Sequence, residues 1–219
     1  MPADDEATIP DAFEGYDEAA AVFTAEELPC VGFRNAGRPL SALRRPGRRI
    51  VDDGRRLVVE VADGGEAAER EAAGPAAEPG AGLLVGGTHT TAVLDVVRGT
   101  GLGRHPAVGD LTTGPGRLHG TTGDIVRQAR EAGAIPGVSG VTPPGHRHAG
   151  YPDALLRAIA RVDGPRAADA GSADGAERIE ELRIDEFRVF TIGGAVLGHA
   201  LPAGGTLKQQ PRRILAVTH

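Results

Sequence analysis

The stretch from Val141 to Asp153 reads VTPPGHRHAGYPD and places two imidazoles one residue apart. In an extended segment, residues i and i+2 point the same way, so His146 and His148 would present two ring nitrogens to one cation. Asp153 is the next oxygen ligand along the chain. Three protein ligands leave a coordination position open for water, as catalytic zinc requires. The expected cofactor is therefore a divalent metal ion, zinc first, held by His146, His148 and Asp153.

A second group could move protons. Imidazole titrates closer to neutrality than any other side chain. His89 in VGGTHTT and His119 in RLHGTTGD both sit in Gly- and Thr-rich stretches, where a ring is free to face a ligand instead of packing. Asp124 follows five residues after His119. His89, His119 and Asp124 are the expected acid–base residues. Asp124 also stands where a helix begins, so the competing role for it is an ordinary N-cap.

Known patterns fit these residues only locally. Gly140, His146, His148 and Asp153 have a spacing that resembles the first cupin motif, with Asp in place of Glu. That motif sets its acid on a strand, whereas DALLRAIARV has helical spacing. The two His-x-Thr triplets at His89 and His119 are similar to those of the 2H phosphoesterases, whose motifs lie on strands and further apart. Ser139, in GVSGVT, is not in a Gly-x-Ser-x-Gly nucleophile elbow.

The elements that must position these residues are short. The 219 residues include 33 Gly and 16 Pro, with no Trp, two Tyr and five Phe, so the core has to come from Val, Leu, Ile and Ala. RRIVDDGRRLVVEV reads as a hairpin turning at Asp53-Gly54. GLLVGG and TTAVLDVV read as buried strands. DIVRQAREAG and DALLRAIARV read as helices, the second with Leu155, Leu156 and Ile159 inward. LRIDEFRVFTI, a Gly193-Gly194 turn and AVLGHAL read as a C-terminal hairpin. Cys30, the single cysteine, reads as a small buried residue. The expected fold is α+β: a β-rich mixed or antiparallel sheet with two or three short helices and long Gly/Pro-rich loops. The expected divisions are an acidic tail and short helix (1–28), a small β-rich unit (29–63), a low-complexity linker (64–82) and a main α+β domain (83–219).

Charge narrows the partners. A net charge of −6 argues against nucleic acid. Residues 1–28 hold nine carboxylates and no Lys or Arg, whereas Arg34 to Arg56 holds eight arginines against Asp52 and Asp53. The acidic N-terminus lacks the features of a signal peptide, and no apolar run is long enough for a membrane span, so the cytoplasm is the expected compartment. Two functions remain. One is a small metal-dependent hydrolase or lyase acting on a small molecule, its site built from loops at 86–124 and 140–153. The other is a non-enzymatic binding or assembly module that docks an acidic partner on the Arg34–Arg56 segment. The long passage 99–123 suits either an active-site loop or a homo-oligomer contact.

Overall fold

A computed structural model of the chain describes residues 16–17, 20–21, 23–35, 44–61, 65–78, 80–111, 117–162, 166–167, 169–172 and 190–191. Its centre is a parallel four-stranded sheet in the order β1 (Cys30–Asn35), β2 (Arg56–Val61), β3 (Leu83–Gly86), β4 (Gly103–His105). Helix α1 (Arg44–Asp52) lies between β1 and β2, α2 (Gly65–Ala77) between β2 and β3, and α3 (Thr90–Val97) between β3 and β4. A two-stranded antiparallel ribbon follows, β5 (Asp110–Leu111) with β6 (Leu118–His119), and leads into α4 (Thr122–Gly133). Parallel bridges Arg104–Val138 and Ala107–Thr142 carry the sheet on towards β7 (Gly140–Val141). After α5 (Pro152–Ala160), β8 (Arg166–Ala167) pairs parallel with β7, and β9 (Asp169–Ser172) pairs parallel with β10 (Phe190–Thr191).

This order has a geometric consequence. Parallel crossovers are right-handed, so strands added always on one side send every helix to the same face of the sheet. Such a sheet covers its other face by curling, the route to an α/β barrel. The packing agrees. Leu57, Val59, Val61 and Leu84 are buried against Ala72, Ala73 and Ala76 of α2 and Val93 and Val97 of α3. Val58, Glu60, Leu83, Val85 and His105 alternate onto the opposite face, with Glu60 opposite Val85 and Val85 opposite His105. A second cluster joins Leu118, Ile125, Ala129, Val141, Leu155 and Ile159.

The expected mixed or antiparallel α+β sheet is thus replaced by a parallel α/β sheet, and three local readings change with it. Asp53-Gly54 does not turn a hairpin. Gly54, at φ 77°, ends α1, its N–H donating to Val51 O at 2.9 Å while Arg55 N–H reaches Ile50 O at 3.1 Å. A left-handed glycine serves both as a hairpin turn and as a helix stop, which is how the two were confused. TTAVLDVV is helix α3, with Thr90, Val93 and Val97 buried, rather than a strand. Residues 65–77, read as linker for want of large side chains, form α2. Its alanines favour helix and, being small, let it lie close on the sheet. Cys30 is exposed rather than buried. Helices α4 and α5 fall where expected, and Leu155, Leu156 and Ile159 are buried. The C-terminal hairpin lies outside the described residues apart from Phe190 and Thr191.

Arg55 ties the N-terminal segment to this framework. Only 5% exposed, it donates to the carbonyls of Phe23 (2.6 Å), Thr24 (2.9 Å) and Leu28 (3.1 Å) and to the Tyr16 hydroxyl, which itself donates to Asp53 (2.7 Å). Among the described residues no helix is long and apolar enough to cross a membrane.

The packing of α2 gives a direct test. Ala73 is fully buried against the sheet, so Ala73→Leu should destabilise the protein by about 1–3 kcal/mol through overpacking. Urea unfolding would read the change, whereas in a solvated linker the same substitution would leave the midpoint unmoved.

Candidate active site at the carboxyl ends of the strands

The loops that carry the candidate residues share one origin. His89 follows β3, His119 and Asp124 lie between β4 and α4 with its first turn, and His146, His148 and Asp153 lie between β7 and the first turn of α5. All therefore belong to segments leaving the carboxyl ends of parallel strands, the rim where α/β barrels carry their chemistry.

The best-built part of the rim is the turn between β3 and α3. Gly86 (φ 80°) and Gly87 (φ 66°) bend the chain sharply out of β3. A Cβ on Gly86 would stand 2.6 Å from Val61 O, and one on Gly87 would stand 2.5 Å from Glu69 Oε2, so both positions exclude side chains. Glu69, on α2, is fully buried. Its carboxylate accepts from Thr88 N–H (2.8 Å), His89 N–H (2.9 Å) and His89 Nδ1 (3.0 Å). Acceptance by the carboxylate fixes the proton on Nδ1 and turns Nε2 away from Glu69. The His89 side chain is 38% exposed, so the ring joins a buried carboxylate to the surface of the rim.

Arg104, on β4 and also fully buried, completes the support. Its guanidinium donates to the carbonyls of Gly86, His105 (3.2 Å) and Gly87 (3.2 Å), reaches Leu84 O at 3.5 Å, and lies 3.9 Å from Glu69 Oε2. Burial lowers the Arg104 pKa to about 10, with Glu69 opposing the shift. Glu69 and Arg104 therefore grip the same turn from its N–H side and its carbonyl side. Both were missed in the sequence, Glu69 because its helix was read as linker. The readable signal was a strand running into Gly-Gly and then Thr-His-Thr-Thr, the form of a strand–turn–helix junction.

His105 occupies the strand end beside this turn, on the face away from the helices. It is 8% exposed, its Nδ1 has no partner among the described residues, and burial, followed by Arg56 and Arg104, lowers its pKa to about 4. The ring is neutral throughout the physiological range.

The other candidates have local roles. Thr121 caps α4, accepting from Asp124 N–H (3.1 Å) while its hydroxyl donates to Asp124 Oδ2 (2.7 Å). That hydroxyl, then Arg127, holds the exposed Asp124 carboxyl below the ordinary range, which makes it a weak base. His148 bridges to Leu118, and its Nε2 lies 3.0 Å from Gly120 O, so the HRH segment and the end of β6 are joined. His119 is exposed on β6. Asp153 is exposed in the first turn of α5. The side chain of His146, and all of His199 and His219, lie outside the described residues. Among those described, no group of three His, Cys, Asp or Glu residues could hold a metal ion.

Comparison with solved structures places the fold. Orotidine 5'-phosphate decarboxylase from Pyrococcus horikoshii OT3 superposes with a TM-score of 0.65 over 94% of this chain and 93% of its own, at 14% identity. A xylose isomerase domain protein from Planctomyces limnophilus (TM-score 0.49, 12% identity, 89% of this chain and 88% of its own) and a mutant FabK from Thermotoga maritima (0.49, 11%, 71% and 50%) align less closely. No protein-family model and no curated relative matches the chain.

Two measurements follow from the geometry. Arg104→Met leaves Glu69 buried without its cation and should destabilise the fold by about 3–5 kcal/mol, read by denaturant unfolding. His105 has a folded pKa below its unfolded value, so the unfolded state takes up a proton first as pH falls. The His105 contribution is fully present above about pH 6.5 and is lost as pH drops towards 4, by about 3 kcal/mol at most. His105→Phe should flatten that part of the stability profile. At the level of fold, the chain is similar to the α/β barrel of orotidine 5'-phosphate decarboxylase.

Proposed function

We propose that this protein is an α/β-barrel enzyme that moves a proton on a small-molecule substrate at the carboxyl ends of its strands. His89 is the acid–base residue and Glu69 the carboxylate that positions it. The observation that carries the reading is the three-contact hold of a fully buried Glu69 on the Thr88–His89 backbone and the His89 ring. A surface histidine without a task would not need a buried carboxylate held in place by an arginine. A carboxylate on Nδ1 strengthens Nε2 as a base and stabilises the imidazolium formed when it accepts a proton.

Proton transfer of this kind serves hydrolases, lyases and decarboxylases alike. Loss of carbon dioxide from a carboxylate, the kind of reaction named in the structural match, leaves an electron pair on carbon that must take up a proton. The metal-assisted form of the reading rests on His146, His148 and Asp153, of which His148 donates from Nε2 to Gly120 O, and it is the weaker of the two. The docking alternative has less free charge than the sequence suggested. Arg55 is spent on backbone carbonyls, Arg44 on Glu78 (2.7 Å) and Arg49 on Asp53 (3.2 Å), with Asp17 at 3.9 Å.

The test is turnover of a panel of phosphorylated and carboxylated small molecules, with orotidine 5'-phosphate included. For whichever substrate is consumed, His89→Gln should lower kcat by about 10²–10⁴-fold with little change in KM. Glu69→Gln should lower it less and shift the pH profile. Equal turnover by wild type and His89→Gln would refute the assignment.

A further inference from the structure

On the outer wall, away from the β3–α3 turn, a cleft of about 380 Å³ is lined by Arg44, Arg45, Arg48 and Glu78. Arg44 is committed: Nη2 donates to Glu78 Oε1 at 2.8 Å and Nε pairs with Oε2 at 2.7 Å, a two-pronged contact that fixes both side chains at the cleft edge. Arg45 and Arg48 are exposed and make no hydrogen bond or ion pair among the described residues. With Arg44 offset by Glu78, the cleft keeps two guanidinium charges that have no carboxylate partner among the described residues. The first turn of α1 contains no acidic residue to relieve them.

We infer that this cleft binds a compact multivalent oxyanion, the phosphate or diphosphate group of a small molecule. Guanidinium forks match phosphate oxygens in geometry and charge and need no precise approach by the rest of the ligand. The distribution of charge decides between a compact ligand and an extended one. Further along the same helix Arg49 is engaged by Asp53 and faces Asp17, and Asp52 is adjacent, so the positive field ends within about two turns. A nucleic-acid strand needs a basic track, and the chain as a whole carries a net charge of −6. A diphosphate-sized group needs only the cleft.

The experiment is calorimetric titration of the full chain with inorganic pyrophosphate in chloride buffer, repeated with the Arg45→Gln/Arg48→Gln variant and with sulfate. Wild type should bind pyrophosphate at least about tenfold more tightly than the double variant and more tightly than sulfate, with affinity falling as chloride rises. Both substituted residues are exposed, so the variant should melt no lower than wild type when pyrophosphate is absent. His89→Gln should bind pyrophosphate as wild type does, which separates this cleft from the proposed active site. Absence of binding to wild type would overturn the inference, as would equal binding by the double variant. Tighter capture of a single-stranded oligonucleotide than of pyrophosphate, lost in the same variant, would also overturn it in favour of an extended partner.

Discussion

Two buried opposite charges, Glu69 on α2 and Arg104 on β4, set the conditions for the rest of the rim. Taking either from water is costly, and the 3.9 Å between them is too long for their mutual attraction to offset that alone. The balance is made by the turn between them. Thr88 and His89 supply N–H donors to the carboxylate, and Leu84, Gly86, Gly87 and His105 supply carbonyls to the guanidinium. The turn is therefore held because two charges need it, and the charges are tolerated because the carboxylate and both terminal guanidinium nitrogens find partners there, Arg104 Nε having none among the described residues. Such mutual dependence gives a loop the rigidity of the sheet that supports it.

Topology brings this turn to a useful place. Because β1 to β4 follow one another side by side in parallel, their helices share one face and their carboxyl ends share one rim. The segments with His89, with His119 and with His146 and His148 are widely separated in sequence, yet each leaves that rim. His148 at Gly120 and Leu118 shows two of these segments meeting across the space between α4 and β7.

The segments carrying the candidate residues were legible in the sequence because Gly, Pro and His together mark backbone that is shaped for something other than packing. Helices α4 and α5 were legible too, through the spacing of Ile125 and Ala129 and of Leu155, Leu156 and Ile159. The sheet direction was not. Leu57 to Val61 reads equally well as one arm of a hairpin or as a central parallel strand, because local pattern records which face is buried and not which neighbour pairs. Gly54 supported the wrong choice, since a positive φ ends helices as readily as it turns hairpins. Helix α2 was hidden for a different reason. Its buried face is alanine, and Glu69, its most consequential residue, looks in sequence like another solvated charge.

The link between the buried pair and the reactive ring is the most exposed point of this picture. It can be measured without knowing the substrate, by recording the ¹⁵N resonances of the His89 imidazole in wild type and in Glu69→Gln at a pH where the ring is neutral. The expected result is a proton held on Nδ1 and an unprotonated Nε2 in wild type, with that preference weakened in Glu69→Gln. A wild-type His89 with its proton on Nε2, or exchanging freely between the two nitrogens as a solvated histidine does, would contradict the claim that Glu69 positions it for proton transfer.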